Sequence, residues 1–364
     1  MASMLLPELV EEILLRIPPD EPAHLVRAAL VCKPWCRIIS DGGFLRRYRR
    51  FHQSPPLLGY IHNAYHHIGK SEIARLVPTS LPSPVIASSP HCYSWWALDC
   101  RHGRVLIQMP TDTLVVWDPI AGSQQQLSQP PYLYLECMGA VLCATDGCDH
   151  LDCHGDPFVI VFVGTQYVGD DMLTWTSMYS SKTGVWSASK TSISTNFLTW
   201  TKPSLLTKDT LYFPFGNGMI IKSILMYDLC THELSAVSMP GELSMIDMEE
   251  ESSSSSLIKL EDGGLGVVAL VDNCIYIWSR PDSIGGWVKH RVVELGMLLP
   301  QQPHPHKLIG FAEGTYTIFI STNVGIFALD LKSRQVRKVG TRRAYFPILP
   351  YMSFYTPSLA LCLV

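Results

Sequence analysis

The residues best suited to chemistry in this sequence are cysteines and histidines crowded into one stretch, CATDGCDHLDCHGD, at 143–156. Thiolate and imidazole groups are ligands that zinc prefers. The stretch offers five such groups, on Cys143, Cys148, His150, Cys153 and His154. It contains no Cys-x-x-Cys pair, and the sequence supplies no second half-site with paired ligands. We therefore expect an insertion loop that binds no metal.

Residues for enzymatic chemistry are sparse. The sequence contains no Gly-x-Ser-x-Gly, His-Glu-x-x-His, P-loop or Gly-x-Gly-x-x-Gly motif. Several aspartates stand at the ends of strand-like runs, where an aspartate usually hydrogen-bonds to the backbone of a turn. These aspartates are Asp99, Asp118, Asp228, Asp262 and Asp330. The sequence therefore predicts no catalytic residue and no cofactor.

The composition is that of a folded, weakly acidic protein. The chain has 364 residues, of which 47% are hydrophobic and 16% charged, with a net charge of -4. This charge would not attract nucleic acid or an anionic membrane. Eleven cysteines without paired spacing, and the absence of an Asn-x-Ser/Thr site, favour a reducing compartment. With too few residues before Leu5 for a signal peptide and no apolar run of about 20 residues, we expect the cytoplasm and/or nucleus.

The first 52 residues have a helical pattern, unlike the rest of the chain. An apolar stripe with three- and four-residue spacings predicts a helix that begins at Pro7, and its members are Leu6, Leu9, Val10, Ile13, Leu14 and Ile17. Asp20 should cap a second helix, a third should follow Pro34, and a fourth should cover 44–52. A unit of this size buries little surface by itself. Its apolar content exceeds what one internal layer would hide, which indicates a partner protein.

Three segments of this unit, LLPELVEEILLRIP (5–18), LVRAALVCKPWCRII (25–39) and FLRRY (44–48), resemble an F-box. The matching features are the Leu-Pro opening, the Ile-Leu and Ile-Pro pairs and the Val-Cys-Lys-x-Trp signature. The resemblance implies docking onto a Skp-family adaptor and, through it, onto a cullin-RING ubiquitin ligase. It makes these residues candidates for the adaptor interface: Leu6, Pro7, Leu9, Ile13, Leu14, Leu25, Val31, Cys32 and Trp35. Some of them, Ile13 among them, could equally form only the unit's own core.

A basic cluster ends the helical unit, with Arg46, Arg47, Arg49 and Arg50 in one short segment. Six acidic residues within the same unit offset this charge, and no aromatic stacking pattern accompanies it. We therefore predict a solvated face, or a contact with an acidic adaptor, rather than a nucleic-acid site.

From residue 55 onward the chain repeats one plan of strand, polar turn and strand. The aligned turn positions are Asp118, Ser181, Asp228, Arg280 and Asp330, which are 63, 47, 52 and 50 residues apart. A period near 50 with three or four strands per unit is typical of a β-propeller, whereas a large β-sandwich would need no such period. Because the long first step contains 143–156, we place the cysteine-rich insertion between two blades.

Strand-like runs are left over at both ends of this region, at 55–63 and 347–363. Paired in one composite blade, they would close the ring and remove its open edges. We therefore expect about six blades, with five or seven as alternatives. The tract MEEESSSSS at 248–256 should be a solvated loop between blades. An F-box followed by a divergent propeller, whose first unit opens with WALDCRHGRVLI (96–107), resembles the F-box-associated propellers of plant proteins.

The expected fold is a multidomain chain, with a small all-α F-box unit over 1–52 and an all-β propeller over 53–364. The resemblance implies a substrate-recognition adaptor of an SCF-type E3 ubiquitin ligase, which binds a Skp-family adaptor and an unknown protein substrate and catalyses nothing itself. We expect no nucleic-acid or membrane partner. Two alternatives remain: a propeller enzyme or sugar-binding module with a helical cap, and an F-box protein that acts outside any ligase. Convergent carboxylates or a metal in a pocket would favour the enzyme.

Overall fold

A computed structural model of the chain describes residues 6–65, 72–79, 95–153, 155–187, 191–194, 202–216, 220–244, 253–281, 285–296, 298–300, 305–341 and 346–355. The helices are α1 (Pro7–Leu15), α2 (Pro22–Val31), α3 (Lys33–Ile39), α4 (Gly42–His52) and the single turn α5 (Gly241–Ser244). The first four form the predicted helical unit. None of the helices in these ranges is long and apolar enough to cross a membrane.

All the strands of the described ranges come after α4. In chain order they are β1 (Leu57–Tyr65), β2 (Glu72–Pro78), β3 (Trp96–Arg101), β4 (Arg104–Gln108), β5 (Leu114–Trp117), β6 (Gln124–Gln126), β7 (Glu136–Cys143), β8 (Phe158–Val168), β9 (Asp171–Ser180), β10 (Val185–Trp186), β11 (Thr191–Ser194), β12 (Leu205–Thr207), β13 (Thr210–Phe215), β14 (Ser223–Asp228), β15 (Leu234–Ser238), β16 (Ser254–Lys259), β17 (Leu265–Val271), β18 (Cys274–Ser279), β19 (Val288–Glu294), β20 (Lys307–Ala312), β21 (Thr317–Thr322), β22 (Gly325–Asp330), β23 (Val336–Gly340) and β24 (Ile348–Met352).

These strands form six separate antiparallel sheets, the blades of a propeller. Blades 1, 3, 4 and 5 are four-stranded meanders made of β3–β6, β12–β15, β16–β19 and β20–β23. Blade 2 is made of β7–β11, and both β10 and β11 pair with β9. The innermost strand is the first one in blades 1 to 5 and β24 in blade 6, since β24, β3 and β7 contact one another in turn, as do β12, β16, β20 and β24. The prediction of a propeller is confirmed, and the number of blades is six.

Blade 6 joins the two ends of the propeller sequence. Strand β24 pairs with β1, which places Gly59 opposite Tyr351 and His62 opposite Ile348, and β1 pairs with β2. The predicted composite blade is therefore confirmed, with β24 as its innermost strand. The rest of the C-terminal run, 356–363, lies outside the described residues.

The outer hairpins of three blades share one turn, which explains the repeated aspartate. The Asp118 side chain accepts hydrogen bonds from the backbone N–H groups two and three residues later, at 2.9 Å each. Asp228 and Asp330 do the same at 2.7–2.9 Å. An aspartate that accepts these hydrogen bonds stabilises its own turn without contacts to distant residues. The sequence predicted it correctly for these three residues.

The serine tract is the clearest error of the sequence interpretation. Ser254 begins β16, the innermost strand of blade 4, and the residues from 253 to 255 are buried rather than solvated. The hydroxyl of Ser254 accepts a hydrogen bond from Leu308 N at 2.7 Å, and that of Ser255 from Ile221 N at 2.8 Å. Small hydroxyl side chains fit where inner strands converge, and they satisfy N–H groups of the neighbouring blades. Residues 248–252 lie outside the described residues.

The cysteine-rich insertion also lies elsewhere than predicted. It connects β7 to β8, which are adjacent strands of blade 2, so it is a loop within one blade and not between two. We call residues 144–157 the β7–β8 loop. Its backbone turns through left-handed conformations at Gly147, His150 and Gly155.

The helix starts follow the sequence with one correction. Prolines occupy the first turns of α1, α2 and α3, where a missing N–H costs no hydrogen bond. Glu21 rather than Asp20 stands at the N-cap of α2, without a side-chain cap. Asp41 caps α4 by accepting hydrogen bonds from the N–H groups of Gly43 and Phe44.

The helical unit packs on the propeller through side chains from two distant segments. Its core, which includes Leu14, Phe44 and Tyr48, is completed by Phe354 from beyond β24 and by Leu151 of the β7–β8 loop. The rings of Tyr48 and Phe354 meet edge to face at 6.3 Å. The core of the small unit therefore depends on apolar surface that the propeller sequence supplies.

Candidate functional site

The outer side of α1 exposes large apolar residues. Leu6, Leu9 and Ile13 recur at helical spacing, and their exposed fractions are 63%, 51% and 52%. Pro7 is exposed beside them. We call Leu6, Pro7, Leu9 and Ile13 the α1 face. An isolated domain gains nothing from leaving such residues in water, so a contiguous exposed stripe marks an interaction surface.

A second exposed apolar group lies at the junction of α2 and α3. Leu30 and Val31 are each 63% exposed, Cys32 is exposed, and Trp35 is half-buried. The sequence predicted Val31, Cys32 and Trp35 as interface residues and did not single out Leu30, which is exposed beside them. The signal was present in its spacing, because Leu30 lies off the buried stripe of Leu25, Ala28 and Ala29.

Two residues of the predicted interface are not at the surface. Leu14 and Leu25 have exposed fractions of 0% and 1% and lie in the core of the helical unit. They have no surface left for a docked partner, because the other core residues of the helical unit surround both side chains. In this structure both side chains hold α1 and α2 in position within the core of the helical unit.

Two arginines of the α4 cluster form ion pairs, each with a different part of the chain. Arg47 forms an ion pair with Glu11 of α1, within the helical unit. Arg49 is buried and forms an ion pair with Asp152 of the β7–β8 loop. The prediction of a solvated face is therefore wrong for Arg49, which fastens α4 to the propeller.

A cavity of about 310 Å³ opens at the carboxyl ends of the inner strands, on the side that faces the helical unit. At its wall the buried guanidinium of Arg101 donates to Asp99 Oδ2 at 2.7 Å and to Glu313 Oε2 at 3.0 Å. It also donates to the Ser204 hydroxyl at 3.0 Å and to the Ser204 carbonyl at 2.6 Å. Asp99 further accepts from Val141 N at 2.8 Å. This network joins segments of four blades.

The network corrects one sequence expectation and limits what the cavity can do. Asp99 is a buried residue of β3, not a turn aspartate. Burial raises the pKa of Asp99 to about 6, although Arg101 opposes the shift. Burial would lower the pKa of Arg101, but the carboxylates of Asp99 and Glu313 outweigh it and hold that pKa above its ordinary value. Both carboxylates are thus engaged by one cation, which suits a structural link better than acid–base catalysis.

The β7–β8 loop gathers most of the zinc-type ligands that the sequence singled out. The Sγ atoms of Cys143, Cys148 and Cys153 and a ring nitrogen of His150 all lie within 4.8 Å of one another. The His102 ring stacks on that of His150, with centroids 4.2 Å apart and planes 6° apart. Burial, helped by His150 and two arginines, lowers the pKa of His102 to about 3. The fifth sequence candidate, His154, lies outside the described residues.

The face of the propeller that points away from the helical unit has its own exposed apolar residues. Leu133 and Leu135 precede β7, and Tyr167 and Val168 end β8, with exposed fractions of 53–86%. Leu135 N donates to Thr165 O at 2.7 Å, which holds the two segments together. Strand register puts this blade-2 patch at the opposite end of β7 from Cys143.

Comparison with known proteins identifies both parts of the chain. A family model described as "F-box protein AT5G49610-like, beta-propeller" matches residues 96–359, and the F-box domain model matches residues 3–47. No curated protein matches the chain. Among solved structures, a functionally unknown protein from Desulfotomaculum acetoxidans is 12% identical, with a TM-score of 0.44 over 81% of this chain and 89% of that one. The WD40 domain of SCAP from fission yeast is 11% identical, with a TM-score of 0.34 over 75% and 60%.

Proposed function

Because the chain belongs to the family of F-box proteins with an AT5G49610-like β-propeller, we propose that it is the substrate-recognition adaptor of an SCF-type (Skp–cullin–F-box) E3 ubiquitin ligase. It docks onto a Skp-family adaptor through the helical unit and holds a protein target with the propeller. Catalysis belongs to its partners, so the chain supplies proximity and orientation. Its place of action is the cytoplasm and/or nucleus.

The observation that carries this proposal is the α1 face. Three large apolar side chains, on Leu6, Leu9 and Ile13, are half exposed or more on a helix whose opposite side is fully buried. Because the helical core is already complete with Leu14, Leu25 and the propeller's Phe354, the α1 face is not needed for folding. Its role is therefore to bind another protein. Leu30, Val31 and Cys32 extend the same proposed interface.

For the target we propose the propeller face opposite the helical unit, where the blade-2 patch lies. A receptor that is held by its helical unit must present the target away from the adaptor. Exposed apolar side chains on a rigid β scaffold suit a protein partner, and tyrosine is a residue type enriched in protein interfaces.

An enzymatic role is the alternative that one observation favours, since Asp99 and Glu313 converge at the cavity. Both bind Arg101, however, and Glu313 Oε1 also accepts from Leu206 N at 3.2 Å. Because the oxygens of these carboxylates already accept hydrogen bonds from Arg101 and from the backbone, they are poorly placed to exchange a proton with a substrate. We therefore favour the binding role for the propeller. An F-box protein that acts with the adaptor outside a ligase differs only in the absence of the cullin.

The binding of the purified full chain to a Skp-family adaptor tests the proposal. Replacing Leu6 and Pro7 with alanine should weaken this binding by roughly 30-fold or more, because buried interface anchors commonly contribute about 2 kcal/mol or more. The matched control is Leu133→Ala with Leu135→Ala, which removes exposed apolar residues from the other end of the molecule and should leave adaptor binding unchanged. Wild-type affinity in the Leu6/Pro7 variant, with the helical unit still folded, would contradict the proposal.

A further inference from the structure

The four ligand atoms at the β7–β8 loop all lie within 4.8 Å of one another, and two of their separations match those of a tetrahedral metal site. Cys148 Sγ lies 3.6 Å from Cys153 Sγ, and Cys153 Sγ lies 3.6 Å from His150 Nδ1. Tetrahedral zinc, with Zn–S of about 2.3 Å and Zn–N of about 2.0 Å, separates its ligands by about 3.8 Å between sulfurs and about 3.5 Å between sulfur and nitrogen. We propose that Cys143, Cys148, His150 and Cys153 form a structural zinc site.

Packing alone does not account for the cluster. Cys153 is buried, but Cys143 and Cys148 are only partly so and His150 is exposed, so the thiols are not simply small core residues. His150 adopts a left-handed backbone conformation, with φ of 57°. Histidine is among the residue types that adopt this conformation more often than most, so the backbone at His150 suits a tight loop.

Neighbouring groups are arranged as supports for metal ligands. His150 N points at Cys148 Sγ over 3.4 Å, a donor that suits a thiolate better than a thiol. The stacked ring of His102 fixes the plane of His150, and His102 Nδ1 accepts a hydrogen bond from Cys143 N at 3.3 Å. Arg104 donates to the carbonyls of Cys153 and Asp156 and so holds the far end of the loop. Supporting contacts of this kind orient ligands in metal sites.

The donor set selects the metal and the kind of site. Three sulfurs and one imidazole, all from the protein, make the closed Cys₃His set of structural zinc, with no position left for a substrate. Binding removes one proton from each thiol to solvent, because the thiolate is the ligand. The complex then carries a single negative charge, beside the guanidinium of Arg104.

The sequence interpretation rejected zinc because it lacked a Cys-x-x-Cys pair. The structure supplies what spacing could not, since Cys143 is the last residue of β7 and the other three ligands fold back onto it. Because its sheet holds the end of β7 rigidly, Cys143 is fixed in place, and the loop itself has to supply only the other three ligands.

The proposed zinc site lies beside the contact between the propeller and the helical unit. Between His150 and Cys153 the loop carries Leu151, which packs on the core of the helical unit, and Asp152, which pairs with the buried Arg49. Zinc at this position would hold both residues against α4. We therefore assign it the task of fixing the helical unit on the propeller.

The metal content of the full chain, purified under reducing conditions without chelator, tests the site. We expect about one zinc per chain in the wild type, and loss of most of it in the variant that combines Cys148→Ser with Cys153→Ser. Cys230→Ser is the matched control, because Cys230 is an exposed cysteine of the β14–β15 hairpin; this variant should retain its zinc. Cobalt in place of zinc should give the visible absorption of a tetrahedral thiolate site.

Several results would overturn the proposal, and they do not depend on adaptor binding. A wild-type chain without zinc, or with Cys148 and Cys153 recovered as a disulfide, would exclude the site. Zinc that survives in the double variant would place the metal elsewhere. If zinc is present, its removal from the wild type should speed amide hydrogen exchange in α4; unchanged exchange there would refute the assigned role in holding the helical unit.

Discussion

Arg101 gives the sharpest test of how the propeller is held together. Its guanidinium is buried at the wall of the cavity and binds Asp99, Glu313 and Ser204 at 2.6–3.0 Å. Replacing it with methionine keeps much of the side-chain volume but removes the cation. Asp99 is then left as a buried carboxylate without its counter-charge, while Glu313, whose side chain is 30% exposed, can be hydrated.

The loss in free energy of unfolding that we expect for Arg101→Met depends on which of its partners stays buried. Removing one member of a buried ion pair destabilises a protein by about 3–5 kcal/mol, because the remaining charge is uncompensated. Asp99 accounts for most of this cost here, so Asp99→Asn combined with Arg101→Met should recover a large part of it. The two substitutions should therefore be strongly non-additive in a double-mutant cycle.

The stability deficit of Arg101→Met should depend on pH in a definite direction. Burial already raises the pKa of Asp99 to about 6 with Arg101 present, and loss of the cation should raise it further. A carboxyl whose folded pKa lies above its unfolded value binds its proton more tightly in the folded state, so it stabilises at low pH and loses that contribution as pH rises through the folded pKa. The deficit of Arg101→Met should thus shrink on acidification toward pH 4, by at most about 1.4 kcal/mol for each unit of added pKa shift.

The assay is urea unfolding followed by tryptophan fluorescence, at neutral pH and near pH 5, for the wild type, both single variants and the double variant. A loss of less than about 1 kcal/mol for Arg101→Met at neutral pH, the value typical of point substitutions in general, would refute the role assigned to this ion pair. A deficit that grows as pH falls would refute it as well.

Three further predictions concern two buried polar residues and the closure of the ring. Lys202 is buried, and burial lowers its pKa to about 7. Lys202→Met should therefore stabilise the protein most below pH 7, and the gain should fade as pH rises toward 10.5, since the folded state binds fewer protons than the unfolded state in that window; a gain that increases with pH in urea unfolding would contradict this. Ser255→Ala removes the acceptor of Ile221 N and should cost about 1–3 kcal/mol in the same assay; a cost near zero would mean that water replaces the hydroxyl. Deleting 346–364 removes β24 and leaves β1 with an unpaired edge, so the truncated chain should be insoluble or rapidly cleaved in limited proteolysis; a digestion pattern like that of the full chain would contradict the closure.

The parts of this fold that sequence predicted are those fixed by local chemistry. Asp118, Asp228 and Asp330 each bind their own turn, so the same residue recurs wherever the same hairpin does. The three- and four-residue spacing of Leu6, Leu9 and Ile13 likewise fixes one face of a helix, whatever surrounds it.

The parts that sequence missed depend on what lies across the fold. Ile13 and Leu14 are neighbours on one apolar helix, and only the position of α3 and α4 decides that the first is exposed and the second buried. Ser254 reads as a loop residue until it is placed beside Leu308 of the next blade, whose N–H it accepts. The sequence pattern counted Cys143 with the insertion loop, and its position at the end of β7, opposite the folded-back loop, becomes visible only in the structure.

The most direct measurement of the central claim is affinity purification of the tagged full chain from cells, with the bound proteins identified by mass spectrometry. We predict a Skp-family adaptor and a cullin with the wild type, and loss of both with the Leu6→Ala/Pro7→Ala variant, while the Leu133→Ala/Leu135→Ala control keeps them. Recovery of the adaptor without a cullin would place the protein outside a ligase. Absence of the adaptor from the wild type, or its undiminished presence with the α1 variant, would contradict the account.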